Sequence, residues 1–180
     1  MAVSALIALD LSKKRVKDYK FSWERALASS SKLQYSHARL FSLIDACSPL
    51  LTPLDEGNIA TETLTEPEAL ELAFQIARWE EVLSLAATTL EPQHIVTYLF
   101  SLASSSSKAL GALQVLILNT GLSGIRVCIC TRKNMDLSQV KTNIETEPEL
   151  SRARILLFAC AKKVLGEGMK VLGIIPLDQV

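Results

Sequence analysis

"KLQYSHARLFSLI", residues 32–44, decides how the rest of the chain is read. At helical spacing Leu33, His37, Leu40, Ile44 and, further on, Cys47 fall on one side, as on a helix that packs along one stripe. Tyr35 and Arg39 are four apart and so are neighbours on another face. Ser42 and Ala46 continue that face with small groups, which leaves room beside the ring for a flat ligand. Two readings follow. One is a surface tyrosine lying beside an arginine, both with wet tips. The other is a platform for an unpaired base, because bases stack on aromatic rings and guanidinium planes. Spacing alone favours the first.

Working outward, helix signals dominate. "TEPE" occurs at 65–68 and again at 146–149 and reads as a capping box: Thr at the N-cap, Glu three residues on, Pro in the first turn. "LEPQ" at 90–93 marks a third helix start. The helix after Thr65 carries a stripe of Leu70, Ala73, Phe74 and Ala77 and ends near Arg78. The next carries Val82, Leu85, Ala86 and Leu90. A long helix from Pro92 carries Ile95, Leu99, Leu102, Ala103, Leu110 and Leu113. The last runs from Pro148 to about Leu172 with Leu150, Ala153, Leu157, Ala161, Val164 and Leu165. Gly173 reads as its C-cap, and Pro176 forbids continuation. Upstream, Ser22 caps "FSWERALA", with Glu24 in its first turn. Residues 48–64, with Pro49, Pro53 and Gly57, read as a loop. The pattern predicts an all-α antiparallel bundle. Residues 115–139, "VLILNTGLSGIRVCICTRKNMDLSQ", break it: β-branched, punctuated by Gly and without a helical stripe, they read as a hairpin or an irregular insertion.

Composition bounds the rest. The 180 residues are 49% hydrophobic, enough for a core, and 19 Lys and Arg balance 19 Asp and Glu. A nucleic-acid role therefore needs a local patch instead of a basic protein. Four scattered cysteines, Cys47, Cys128, Cys130 and Cys160, suit a reducing, intracellular compartment. The opening apolar stretch precedes its charges, the wrong order for a signal peptide, and no run reaches membrane-spanning length.

No catalytic constellation stands out. His37 lies on an apolar side and reads as a packed histidine, and His94 reads as a solvated first-turn residue. Cys128-x-Cys130 has no visible partners for a metal, so none is expected. No phosphate-binding glycine loop and no Gly-x-Ser-x-Gly occurs, and "LSKKR" at 11–15 reads as a basic solvated turn. Arg152, Arg154, Lys162, Lys163 and Lys170 on the last helix are either phosphate contacts or an ordinary wet face.

"LQYSHARLFSL" resembles the "LQYxHARLxS" signature that opens the anticodon-binding helical domain of arginyl-tRNA synthetases. The likeness continues on both sides. "VSALIALDLSKKRVKDYKFSWERAL" is similar to the stretch joining that family's catalytic domain to this helical domain. "LEPQHIVTYLFSLA" resembles its central helix, and "SRARILLFACAKKVLGEGMKVLGIIPLDQV" its last helix and tail, both nearest the mitochondrial type. The resemblance implies a class I anticodon-binding bundle over residues 22–180, preceded by a linker over 1–21.

The resemblance further implies that Tyr35 and Arg39 hold anticodon bases, with Leu110 and Val180 at matching pocket positions; Gln34 and His37 of the signature are counted with them, and Arg152, Arg154, Lys163 and Lys170 are read from their charge as candidate phosphate contacts. Every arginine codon has G in the middle, so every arginine tRNA has C in the middle of its anticodon, and one base-sized pocket suffices to read it. The implied partner is tRNA(Arg), bound by a monomer with no membrane or DNA role, in the mitochondrial matrix. ATP and magnesium serve the complete ligase, and no catalytic residue is assigned in this chain. The sequence departs from the family pattern. The ATP- and arginine-binding motifs are absent, the Gly-Asp-x-Gly turn before the signature is missing, Leu110 stands where many members have Tyr, and Val180 where they end in Met. Removing 115–139 leaves a join like the family's short connection, so the segment reads as an insertion of translated intron sequence. The alternatives are a stand-alone tRNA-binding adaptor without ligase activity and a truncated helical product.

Overall fold

The computed structural model describes residues 2–47, 61–113 and 148–178. The expected loop around Pro49, Pro53 and Gly57, the anomalous 115–139 segment, the Thr146 capping box, Cys128, Cys130 and Val180 all lie outside them. Among the described residues every regular element is helical: α1 (Ala2–Leu11), α2 (Trp23–Cys47), a 3-10 turn at Thr61–Thr63, α3 (Pro67–Ala77), α4 (Trp79–Thr89), α5 (Gln93–Ala112) and α6 (Pro148–Val171).

α5 is the axis of the bundle, and each of the other five α-helices packs against it. Its expected stripe is the observed one: Ile95, Leu99, Leu102, Ala103 and Leu110 are all buried. A leucine removed this fully from water contributes about 1.5–3 kcal/mol, so this stripe organises the fold. Close approach is part of the design. A Cβ at Gly168 of α6 would lie 2.5 Å from Leu99 Cδ2 and 3.2 Å from Trp79 Cη2, so only hydrogen fits at that crossing. The Trp79 ring in turn stacks on Tyr98, centroids 5.5 Å apart. The Tyr98 hydroxyl donates to Gln75 O at 2.8 Å, and burial pushes its pKa up to about 12.

The region read as linker begins with a helix. α1 buries Ala5, Ala8 and Leu9 and packs along α2. "FSWERALA" and the signature stretch form one helix of 25 residues, with Ser22 O accepting from Ala26 N at 3.1 Å just ahead of the first turn. On its inner side Leu33, His37, Leu40 and Cys47 are buried as expected. Ile44 is only half-buried, and Leu43 takes the inward place. Burial pushes the Cys47 thiol up to about 11.

Two expectations fail for stated reasons. Thr65 does not cap α3. The N-cap is Glu66, extended at φ −70° and ψ 138°, and no side chain bonds the first-turn amides. Pro67 disfavours the helical region for the residue before it and, with its own φ preset, begins the helix itself. The stripe on α3 also faces outward for the most part: Leu70, Phe74 and Ala77 are exposed and Ala73 alone of the expected four packs against the core, while Ala69 and Leu72 are buried. α3 is apolar on more than one side, so periodicity marks faces without saying which one packs. On α4, Val82 and Ala86 are buried, but Leu85 is exposed, and Leu90 turns the chain out at φ 55°.

The end of α6 is as expected and fuller. Gly173 has φ +77°, its N–H donates to Lys170 O at 2.9 Å, and Ile174 N–H reaches back to Met169 O at 2.8 Å. Those two bonds, with Ile174 and Met169 both buried, are the Schellman arrangement. It reverses the chain and sends the tail back over the bundle.

Candidate nucleic-acid interface

The outer face of α2 presents Tyr35 with 54% of its surface exposed. The Arg39 guanidinium carbon lies 5.6 Å from the centre of the Tyr35 ring, within the range of a cation–π contact. The pair predicted from spacing is thus brought together. Next to it, the Ser42 hydroxyl is satisfied within the helix, donating to Ala38 O at 2.9 Å.

Gln34 and His37 belong to the same signature but face inward, 1% and 6% exposed. Both are occupied by the C-terminal tail. Gln34 Nε2 donates to Ile175 O at 2.9 Å, and Leu177 N–H donates to Gln34 Oε1 at 2.9 Å. His37 Nδ1 lies 2.9 Å from Leu177 O. A carbonyl only accepts, so this nitrogen carries the proton. The opposite edge of the imidazole meets α6, where a Cβ on Gly166 would come within 3.3 Å of Nε2. These polar atoms are spent on the tail and do not face a ligand. Leu110 is 4% exposed and forms part of the core. It is a side chain beneath the surface, not one that lines a pocket.

The basic residues of α6 divide. Arg152, Lys163 and Lys170 are exposed. Lys162 lies with its ammonium 5.0 Å from the centre of the Phe41 ring on α2. Arg154 is drawn inward: its Nη2 donates to Glu66 Oε1, with the two side chains only 17% and 27% exposed. Burial at Glu66 raises its carboxyl pKa, but the Arg154 hydrogen bond and neighbouring backbone donors outweigh it and hold the group below its ordinary value. Arg154 therefore ties α6 to the start of α3. Its place is structural, whereas the three exposed cations remain accessible. His94, in the first turn of α5, is half-buried.

Sequence reasoning missed the tail's role and the two α6 glycines, Gly166 and Gly168. One signal pointed to the tail. A glutamine on the packed side of a helix needs partners for both ends of its amide, and "GIIP" ahead of the terminus supplies an extended backbone able to meet them.

Among the described residues no group of three or more His, Cys, Asp and Glu side chains is placed to hold a metal ion, and no helix is long and apolar enough to cross a membrane.

Comparison with known proteins places the chain in a family and agrees with the helical fold. The sequence matches the family described as DALR anticodon binding domain over residues 33–180. It is 34% identical over 184 residues to the Dictyostelium discoideum protein named "Probable arginine–tRNA ligase, cytoplasmic", covering 100% of this chain and 26% of that protein. It is 31% identical to the Homo sapiens protein named "Probable arginine–tRNA ligase, mitochondrial", covering 98% and 26%. The chain thus spans about a quarter of the length of the curated relatives it matches. Among solved structures, the arginyl-tRNA synthetase of Plasmodium falciparum superposes with a TM-score of 0.63 at 18% identity, over 99% of this chain and 27% of that one. At that identity the likeness is one of fold.

Proposed function

We propose that this chain, which belongs to the DALR anticodon-binding domain family, holds the anticodon of an arginine tRNA on the outer face of α2, as part of an arginine–tRNA ligase. The observation that carries the reading is the exposed Tyr35 ring with the Arg39 guanidinium against it. An unpaired base stacks on such a ring, and a guanidinium edge donates to the carbonyl of cytosine, the middle base in every arginine anticodon. Base stacking of this kind is worth about 1–3 kcal/mol per base. Arg152, Lys163 and Lys170 would meet backbone phosphates, each replacing condensed counterions and making affinity fall with salt.

ATP and its magnesium ion would serve the complete ligase. Relatives named cytoplasmic and mitochondrial both match. From the likeness of the central and last helices we assign the chain to the mitochondrial matrix, working as a monomer. Imaging of the tagged protein and light scattering check the two points, and a cytosolic signal would move the assignment.

The deciding experiment titrates the protein with arginine tRNA and with the same tRNA changed at the middle anticodon base. Tighter binding of the unchanged tRNA is expected, and equal affinity refutes anticodon reading. Arg39→Ala should relax discrimination at one position, whereas a uniform loss would recast Arg39 as a phosphate contact.

A further inference from the structure

We propose that Arg25 and Lys32 extend the Tyr35 site along α2 as a phosphate track. The backbone of the RNA strand whose base lies on Tyr35 runs over these two cations toward the start of the helix. The proposal rests on the anticodon reading above and adds what holds the strand beyond the base.

The register comes first. α2 is one helix from Trp23 to Cys47, and its sequence has neither glycine nor proline to break it. Arg25, Lys32 and Arg39 stand at spacings of seven residues. At about 100° per residue, seven residues bring a helix back to within about 20° of the same direction. The three cations therefore form one line about 21 Å long. Tyr35 stands about 40–80° to one side of that line, between Lys32 and Arg39 in height. The two acidic residues of α2, Glu24 and Asp45, point beyond the ring, away from the line. The line depends on the helix being unbroken. A Gly-Asp-x-Gly turn ahead of the signature, as in the family pattern, would take Arg25 out of register with the other two.

The side chains suit a polyanion. Arg25 and Lys32 are exposed, as are Ala28 and Ser31, small residues on the stretch between Arg25 and Tyr35. The Lys32 ammonium lies 5.9 Å from the centre of the Phe100 ring on α5, a cation–π contact that steadies it at the surface. Neither Arg25 nor Lys32 forms an ion pair among the described residues. A solvated helix face carries opposite charges three or four residues apart. No acidic residue stands at those spacings from Arg25, Lys32 or Arg39. Neighbouring cations on the line are about 10 Å apart, so a chain of phosphates meets them in turn, releasing counterions at each. Phosphate contacts place a strand without reading it. The line therefore fixes where the base arrives and leaves its identity to Tyr35 and Arg39.

The test measures arginine tRNA binding by the 180-residue chain over a range of salt concentrations. The forms are the unaltered protein, Arg25→Gln, Lys32→Gln and the two changes combined. Glutamine is a good helix former, and each form is confirmed folded by circular dichroism. Each replacement should lower the slope of log affinity against log salt by about 0.7–0.9, and the pair by about twice that. Binding of the tRNA changed at the middle anticodon base should fall by the same factor, which leaves discrimination intact. An unchanged slope in the double variant overturns the proposal. A loss confined to the unchanged tRNA overturns it too, because it puts the two side chains on bases. Arg25→Gln combined with Leu27→Arg keeps the net charge but moves one cation about 160° round the helix. That form should bind like Arg25→Gln; binding like the unaltered protein would make net charge the cause and overturn the line. Equal affinity of the unaltered protein for the two tRNAs, with slopes that still fall in the variants, would sink the anticodon reading and uphold the phosphate contacts.

Discussion

Gln34 and Tyr35 are consecutive in the chain and opposite in fate. Gln34 is 1% exposed, with both ends of its amide bonded, while Tyr35 is 54% exposed with the Arg39 guanidinium against it. The 100° step of the helix is enough to place them in different environments. A short motif on a helix is therefore two motifs interleaved. One part of "LQYSHARL" (Leu33, Gln34, His37, Leu40) builds the domain, and the other turns the Tyr35 ring outward with the half-buried Arg39 beside it. Treating the motif as a single binding unit assigns a ligand role to side chains that have none to spare.

The contrast can be broken by mutation, most severely from the packed side. Leu40→Ala removes a side chain with 0% exposure. It should cost about 2–5 kcal/mol in chemical denaturation, with affinity of the folded fraction unchanged. Next comes the open side. Tyr35→Ala should weaken tRNA binding by about 1–3 kcal/mol while shifting stability by less than about 0.5 kcal/mol. A large loss of stability there would show that the ring packs instead of waiting. A smaller effect concerns Glu66. Its carboxyl is held below the ordinary value of 4.5, so its contribution to stability is present above that value and is lost as pH falls through the lowered one. Arg154→Met should remove that part of the acid dependence, read from melting temperature against pH, and a curve of unchanged shape would argue against the pairing. Smallest is Phe74→Ser on the outward stripe of α3, expected within about 0.5 kcal/mol in denaturation. A larger destabilisation would mean that this face packs against something.

The same contrast says what was legible beforehand. The α5 stripe was readable because one face of that helix is apolar and the other is not, and the pairing of Tyr35 with Arg39 followed from a four-residue spacing. α3 was misread because Leu70 and Phe74 form as good a stripe as Ala69 and Leu72, and only the position of α5 chooses between them. The capping box at Thr65 failed because Pro67 restricts its predecessor and moved the cap to Glu66. The burial of Gln34 and His37 depended on residues about 140 positions away. No local pattern carries that information, although a glutamine among leucines asks where its partners are.

The bonds from Gln34 and His37 to the tail also set what kind of change residues 175–177 tolerate. Gln34 and His37 bond Ile175 and Leu177 through carbonyl oxygens and an amide, so the exposed Ile175 side chain can be exchanged with little effect on those bonds. Length is different. One residue inserted between Gly173 and Leu177 moves every carbonyl and amide out of register, and a proline at 177 removes the amide outright. This tail is specified by counting more than by spelling.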